Sequence, residues 1–396
     1  MWEVGSPATI EEFRDYVRSF IAREVLPNAE HWTRERSVSR ELHVAAGAAG
    51  LLGLKYPERL GGLNRPYAFT HAMLEEFGRS GSMGCLLSLV LQSEFSTPHL
   101  ARYGGEALQK RFLAPAIAGN VILGIAMTEP EGGSDLANLR TTATRTAGGF
   151  RVSGRKWMIG NGSLADAFCV VCRAPDQNDG LPRATMLLVE ASTQGFAVVR
   201  SLEKTGLHAT PNSEILFDDC FVPNENVLGR PGLAIPQGMI ANAYERVALA
   251  ILATAAMRAG WESAVQFLAS RRAAGGALID QSPWRHRLTL DYIMIEGVER
   301  LVKDAAASLD SGKPDQALVL MAKIAATEAC QEVLQHASQA HGARGYLAGE
   351  RIGRLHADGR ALTIGGGATE ALLEALSRIV LARVDAPDLD ADNTPS

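Results

Sequence analysis

The chain has 396 residues, 46% of them hydrophobic and 21% charged, with a formal net charge of −5. That length exceeds one hydrophobic core and calls for two or three domains. There is no basic excess of the kind nucleic acid needs and no like-charge tail, and the apolar stretches are broken by charges before membrane-spanning length. Neither a nucleic-acid partner nor a membrane partner is therefore expected. The start, Met-Trp-Glu-Val-Gly-Ser-Pro, lacks a basic region followed by an apolar core, so no secretory signal is expected. The five cysteines are odd in number and scattered, which suits a reducing, cytoplasmic setting. Only Cys169 and Cys172 lie close together, in an apolar strand-like run without a second Cys/His pair. They read as core residues, and no metal site is expected.

Residues 1–120 have helical periodicity. Ile10, Phe13, Val17 and Phe20-Ile21 recur at three- and four-residue spacing after Pro7 and Thr9, which mark a helix start. Similar patterns cover 38–50, 67–79, 84–103 and 105–118. Residues 121–232 change character. Short β-rich runs at 121–127, 150–152, 167–172, 185–189, 196–200 and 214–217 are separated by Gly, Asn, Asp and Pro, as in a compact all-β domain. Residues 233–384 return to helix, at about 236–273, 283–310, 314–341 and 367–383, and the polar tail 385–396 is expected to fray. Helices, then strands, then helices is a segregated layout, which argues against a parallel dinucleotide-binding sheet. The fold class is mainly α with a central β domain.

The most specific stretch is Ile125-Ala-Met-Thr-Glu-Pro-Glu-Gly-Gly-Ser-Asp135. An apolar strand stops at Thr128, a proline fixes the backbone, and two glycines release it, leaving hydroxyls and bare N–H groups for a flat or anionic ligand. A lone Gly-Gly-Ser would be an ordinary turn. The ordered string resembles the flavin-binding signature of the acyl-CoA dehydrogenase family. The resemblance covers nearly the whole chain and implies a helical N-terminal domain, a β-barrel and a C-terminal four-helix bundle, with FAD bound by Met127, Thr128, Gly133 and Ser134. A second segment, Gly154-Arg-Lys-Trp-Met-Ile-Gly-Asn-Gly162, is similar to the family's next flavin strand and sets Met158 and Gly160 against the ring. Here Gly160 stands where Thr or Ser is usual, so the family's hydroxyl is missing, and Trp157 alone would read as a core aromatic.

Three further pieces extend the resemblance. Arg271 matches an Arg that holds the cofactor's pyrophosphate from a neighbouring subunit, a role suited to a guanidinium fork, although Ala274 and Ser282 replace the usual Phe and Gln. Gln339-Ala-His-Gly-Ala-Arg-Gly-Tyr346 matches a glycine-rich turn, placing Gln339, Gly342 and Ala343 near the adenine diphosphate. Ala368 and Glu370 match positions that touch the cofactor. Together these imply FAD bound between subunits of a homo-oligomer, with a homotetramer expected.

Removing a proton beside a thioester carbonyl needs a carboxylate in an apolar pocket. The family's common base lies in an Ile-x-Glu-Gly-Thr stretch; here that place reads Ile364-Gly-Gly-Gly-Ala-Thr-Glu370, and Gly366 occupies the Glu position. A minority resembling isovaleryl-CoA and long-chain acyl-CoA dehydrogenases carries the Glu on an earlier helix, matching Glu245. The segment around Glu245 is mostly apolar on both faces and reads as a buried helix. An ionised Glu there needs a partner or a purpose, either an ion pair from another helix or the catalytic role.

The resemblance implies an FAD-dependent α,β-dehydrogenase of acyl thioesters, on coenzyme A or on a carrier protein, passing electrons to an electron-transfer flavoprotein. The Leu207-His-Ala-Thr-Pro-Asn212 loop resembles members that act in secondary metabolism on carrier-protein substrates. Two alternatives stay open. A flavin monooxygenase on the same fold would need no base, and a non-catalytic partner subunit would tolerate Gly160, Ala274 and Ser282.

Overall fold

The computed structural model describes residues 7–133, 138–175, 182–273 and 275–382; Ser134, Ala274 and the tail lie outside them. The first part is helical: α1 (Ile10–Phe20), α2 (Ala29–Glu35), α3 (Arg40–Ala48), α4 (Tyr67–Arg79), α5 (Met83–Val90), α6 (Thr97–Tyr103), α7 (Glu106–Leu108) and α8 (Ala114–Ile117). Helix α1 starts where Thr9 and Glu12 cap one another, each side chain accepting the other's backbone N–H at 3.2 Å, and it buries the expected Phe13, Val17 and Phe20. A π-helical turn, Leu91–Ser96, joins α5 to α6 into one buried rod. Within it Gln92 accepts the N–H of Leu123 at 2.9 Å and donates to the carbonyls of Ala116 and Val121, fixing the helices to the first strand.

The strands are β1 (Leu123–Ala126), β2 (Thr142–Thr146), β3 (Gly149–Gly160), β4 (Ala167–Pro175), β5 (Pro182–Glu190), β6 (Phe196–Ser201), β7 (Asn212–Pro223) and β8 (Val227–Leu228). They pair in the order β6-β7-β3-β2-β4-β5-β8, with β1 parallel on β4. Strand β4 is central and buried on both faces, which its unbroken apolar run Phe168–Cys172 requires. Cys169 faces the helices with Ala167 and Val171, whereas Cys172 faces the sheet's other core with Phe168 and Val170. Opposite faces of one strand cannot form a ligand pair, and burial pushes both thiols up to about 12.

Among the described residues the pairing path stays open, with no ladder joining β6 to β8. The β domain expected from the sequence is thus present as a mixed sheet, with no closed barrel in its hydrogen bonding among the described residues. The edges explain it: β8 has two residues, and β6 is exposed along most of its length. Strand β2 escaped the sequence reading because it is Thr-rich and buries only Ala143.

The C-terminal part comprises α9 (Ala234–Ser270), a hairpin of β9 (Arg272–Ala273) and β10 (Gly276–Ala277), α10 (Ser282–Ser308), α11 (Gln316–Ala340), α12 (Arg351–Arg360) and α13 (Thr369–Leu381). Helix α12 was not anticipated, since Gly353 and Gly359 mask its periodicity; both are needed for close approach, to the Leu347 carbonyl and to Leu334 of α11. Helix α9 is the axis of the molecule. It has 37 residues and is long and apolar enough to pass for a membrane span, but 72% of its most apolar window is buried inside the protein.

Candidate active site

Glu245 lies in the buried middle of α9, only 5% exposed. Its helical neighbours Ala241, Ala248, Leu249 and Leu252 are buried and apolar. Burial lifts its carboxyl from 4.5 to about 7, against the pull of Arg246 and Lys323. Its Oε2 has no hydrogen-bond partner among the described residues. Among the described residues, the ion pair that would make it structural is not formed, because the cations that influence it are engaged elsewhere. Arg246 Nε donates to the Gly366 carbonyl at 3.2 Å, and Lys323 Nζ donates to the carbonyls of Thr363 and Gly367 at 3.1 and 2.8 Å.

The two possible addresses for the base converge in space. A methyl group on Gly366 would lie 3.4 Å from Glu245 Oε1 and 2.9 Å from Leu249 Cδ1. Gly366 also has φ +69° and Gly367 φ +105°, conformations that favour glycine. The turn before α13 therefore leaves a notch that the α9 carboxylate borders. One turn earlier on α9, Asn242 Oδ1 meets His99 Nε2 at 3.0 Å, and burial pushes His99 down to about 4, so this imidazole is neutral.

The flavin signature and its partner strand are adjacent. Trp157 N–H donates to the Thr128 carbonyl at 2.9 Å. Beneath them Lys156 Nζ, fully buried, donates to Glu129 Oε1 and to the Met127 carbonyl, each at 2.8 Å. Glu129 also accepts the N–H groups of Arg140 and Thr141 at 2.6 and 2.9 Å. Burial disfavours its charge, but Lys156 and these donors hold its carboxyl below the ordinary range. Met158 sits above this pair at φ +59° and 40% exposed. A Cβ on Gly133 would touch only the Thr128 methyl, at 3.7 Å. The result is an open shelf edged by Met127, Thr128, Gly133, Met158 and Gly160, which fits a flat ring system. At Gly160 a Cβ would meet Leu91 Cδ1 at 2.5 Å, so Leu91 fills the space a Thr or Ser would take.

Residues 7–120, 124–220 and 232–381 match the acyl-CoA dehydrogenase N-terminal, middle and C-terminal domains, respectively. The chain is 32% identical to the mitochondrial long-chain specific acyl-CoA dehydrogenase of Sus scrofa, over 93% of this chain and 86% of that protein. It belongs to the acyl-CoA dehydrogenase family. The benzylmalonyl-CoA dehydrogenase of Aromatoleum aromaticum is 31% identical, over 93% of this chain and 96% of the relative. The crystal structure of acyl-CoA dehydrogenase from Geobacillus kaustophilus superposes with a TM-score of 0.89 at 31% identity, covering 95% and 99% of the two chains. Members of this family are FAD-dependent oxidoreductases acting on a CH–CH bond.

The remaining acyl-CoA dehydrogenase positions fall at the surface of the single chain. Arg271 caps the end of α9 and is exposed, as are Gln339, Gly342, Ala343 and Glu370, while Ala368 is half-buried at the start of α13. One chain does not bring Arg271 or the Gln339–Ala343 turn into the Thr128–Met158 shelf by any contact among the described residues. The 207–212 loop is an anchor. Leu207 N–H donates to Asp358 of α12 at 2.5 Å and Thr210 Oγ1 donates to the Gly84 carbonyl at 2.5 Å. Sequence reasoning missed the Glu129–Lys156 pair. Its signal was available, a Glu inside the first signature and a Lys inside the second, but burial was needed to make it meaningful.

Proposed function

We propose that the protein oxidises acyl thioesters to trans-2-enoyl thioesters, with Glu245 as the base. The observation that carries this reading is a buried, unpaired carboxylate beside an open glycine notch. Above about pH 7 it is ionised and able to take the α-proton, whereas a structural Glu would be tied into an ion pair. As the proton moves to a Glu245 oxygen, the electrons of the α C–H bond form the α,β double bond, and the β-hydrogen leaves with its electron pair. When bound, FAD supplies the acceptor for that pair. Met127, Thr128, Gly133, Met158 and Gly160 line the ring's shelf, and the Glu129–Lys156 pair keeps that shelf's backbone in place. The buried base favours dehydrogenation over the oxygenase alternative, which has no use for it.

Exposed Leu290, Ile293, Tyr346 and Leu347, with exposed Arg271, support a homo-oligomer in which one copy completes another's cofactor site, a homotetramer in our reading. An electron-transfer flavoprotein is the proposed acceptor, and five free, buried cysteines suit a reducing compartment. The test is the visible spectrum of purified protein before and after a panel of acyl-CoA thioesters and their pantetheinylated carrier-protein counterparts. Anaerobic bleaching by one series identifies the carrier. A coloured protein that none of them bleaches overturns the reading.

A further inference from the structure

The turn that lacks a carboxylate still has an ordered architecture. Its carbonyls converge on two cations from different helices. Gly366 O takes Arg246 Nε, from the residue next to Glu245, and Thr363 O and Gly367 O take Lys323 Nζ, from α11. Lys323 is fully buried, an expensive place for an ammonium unless its position matters. Neither cation is paired to a carboxylate within ion-pair distance among the described residues, although such pairing would be the usual way to stabilise a buried charge. Instead both are spent on a loop of left-handed glycines whose only crowded neighbours are Glu245, Leu249 and Leu372.

We propose that Arg246 and Lys323 are positioning residues that clamp the Thr363–Gly367 turn open beside Glu245 and supply the positive field in which its carboxylate ionises. This rests on the reading of Glu245 as the base. Two effects follow from one geometry. The carbonyl clamp keeps the notch from collapsing onto the carboxylate, and the uncompensated positive charge opposes the penalty of burying an anion. The charged groups bearing on Glu245 are Arg246 on its own helix and Lys323 across from it; those bearing on Lys323 are Arg246, Glu328, Glu245 and Glu370. Glu94, on the π-helical turn packed against α9, is neutralised by Lys55 and does not enter. Burial and Arg246 also bring Lys323 down to about 8, so its share of the positive field fades in alkali while its N–H donors remain. Turnover should accordingly rise through about pH 7 as Glu245 ionises and hold a plateau above it, because a neutral Lys323 amine still donates to the turn.

The test uses the FAD-loaded protein and two neutral variants, Lys323→Gln, which keeps an N–H donor without the charge, and Lys323→Met, which removes both. An infrared pH titration, with Glu245→Gln subtracted, follows the Glu245 carboxyl directly and without substrate. We expect Lys323→Gln to raise the Glu245 midpoint by about one unit and to move the rising limb of flavin reduction by the same amount. Lys323→Met should add a loss of rate at every pH, and Lys323→Arg should restore the parent midpoint. If Lys323→Met does not fold, Arg246→Gln provides the second arm, with the same upward shift expected. An unchanged Glu245 midpoint in Lys323→Gln overturns the proposal. A shifted midpoint combined with full flavin reduction by Glu245→Gln instead overturns the assignment of the base and leaves the clamp standing.

Discussion

The two halves of the site are built on opposite principles. The proposed proton-transfer half, Glu245 with the Thr363–Gly367 turn, is enclosed within one chain: α9 and α11 supply the cations that bear on the carboxylate. The cofactor half is open. Its shelf ends at a 40% exposed Met158, and the residues assigned to the far end of the cofactor, Arg271, Gln339, Gly342 and Ala343, are exposed. The contrast follows from chemistry. A base must be desolvated to have a useful pKa, so it sits where helices already exclude water. A long dinucleotide needs many polar contacts along its length, which exposed turns on separate copies can supply.

Breaking the enclosed half should have the largest effect. Glu245→Gln is expected to slow flavin reduction by about 10²–10⁴-fold, the range for removing a general base, with FAD still bound; stopped-flow reduction measures it. The same variant carries a stability signature. Because the Glu245 carboxyl is lifted from 4.5 to about 7, the native state is favoured by this group below pH 4.5, and that advantage is lost as pH rises through 7. At pH 8 the buried charge costs roughly 3 kcal/mol. Thermal melts should therefore show Glu245→Gln gaining on the parent protein between pH 5 and 8; equal pH dependence in both would mean that Glu245 is not buried as described.

On the open half, the largest effect should come from beneath the shelf. Lys156→Met leaves Glu129 buried and unpaired, which is expected to cost about 3–5 kcal/mol and to release FAD, read by denaturant unfolding and by flavin fluorescence. Gly366→Glu tests whether the common position of the base can be restored. The positive φ and the approach to Leu249 predict a loss of about 1–3 kcal/mol, and adding it to Glu245→Gln should give no rescue unless Leu249→Ala makes room. Gly160→Thr should lose about 1–3 kcal/mol by overpacking against Leu91. Combining it with Leu91→Ala should recover most of that stability, which a double-mutant cycle on melting temperature would show.

Much of this was legible in the residues. Short-range rules gave α1 from Thr9, Phe13 and Val17, the burial of α9 from its apolar circumference, and the core role of Cys169 and Cys172 from their strand. Order-specific strings marked Thr128 and Gly133 as candidates, because such residues act through local backbone shape. The reading failed where the deciding interaction is long-range. Helix α12 hides behind two glycines that exist for contacts with Leu347 and Leu334.

The sequence by itself determined, through its resemblance to the family, that a glycine stands at the common position of the base and, through periodicity, that Glu245 lies on an apolar stretch of helix, since motif and periodicity are local properties. Only the tertiary structure decided that these two places are one. Residues 121 apart in the chain meet because α9 and the turn before α13 close on the same notch, and burial, the source of the raised carboxyl pKa, belongs to the packed molecule rather than to any segment of it.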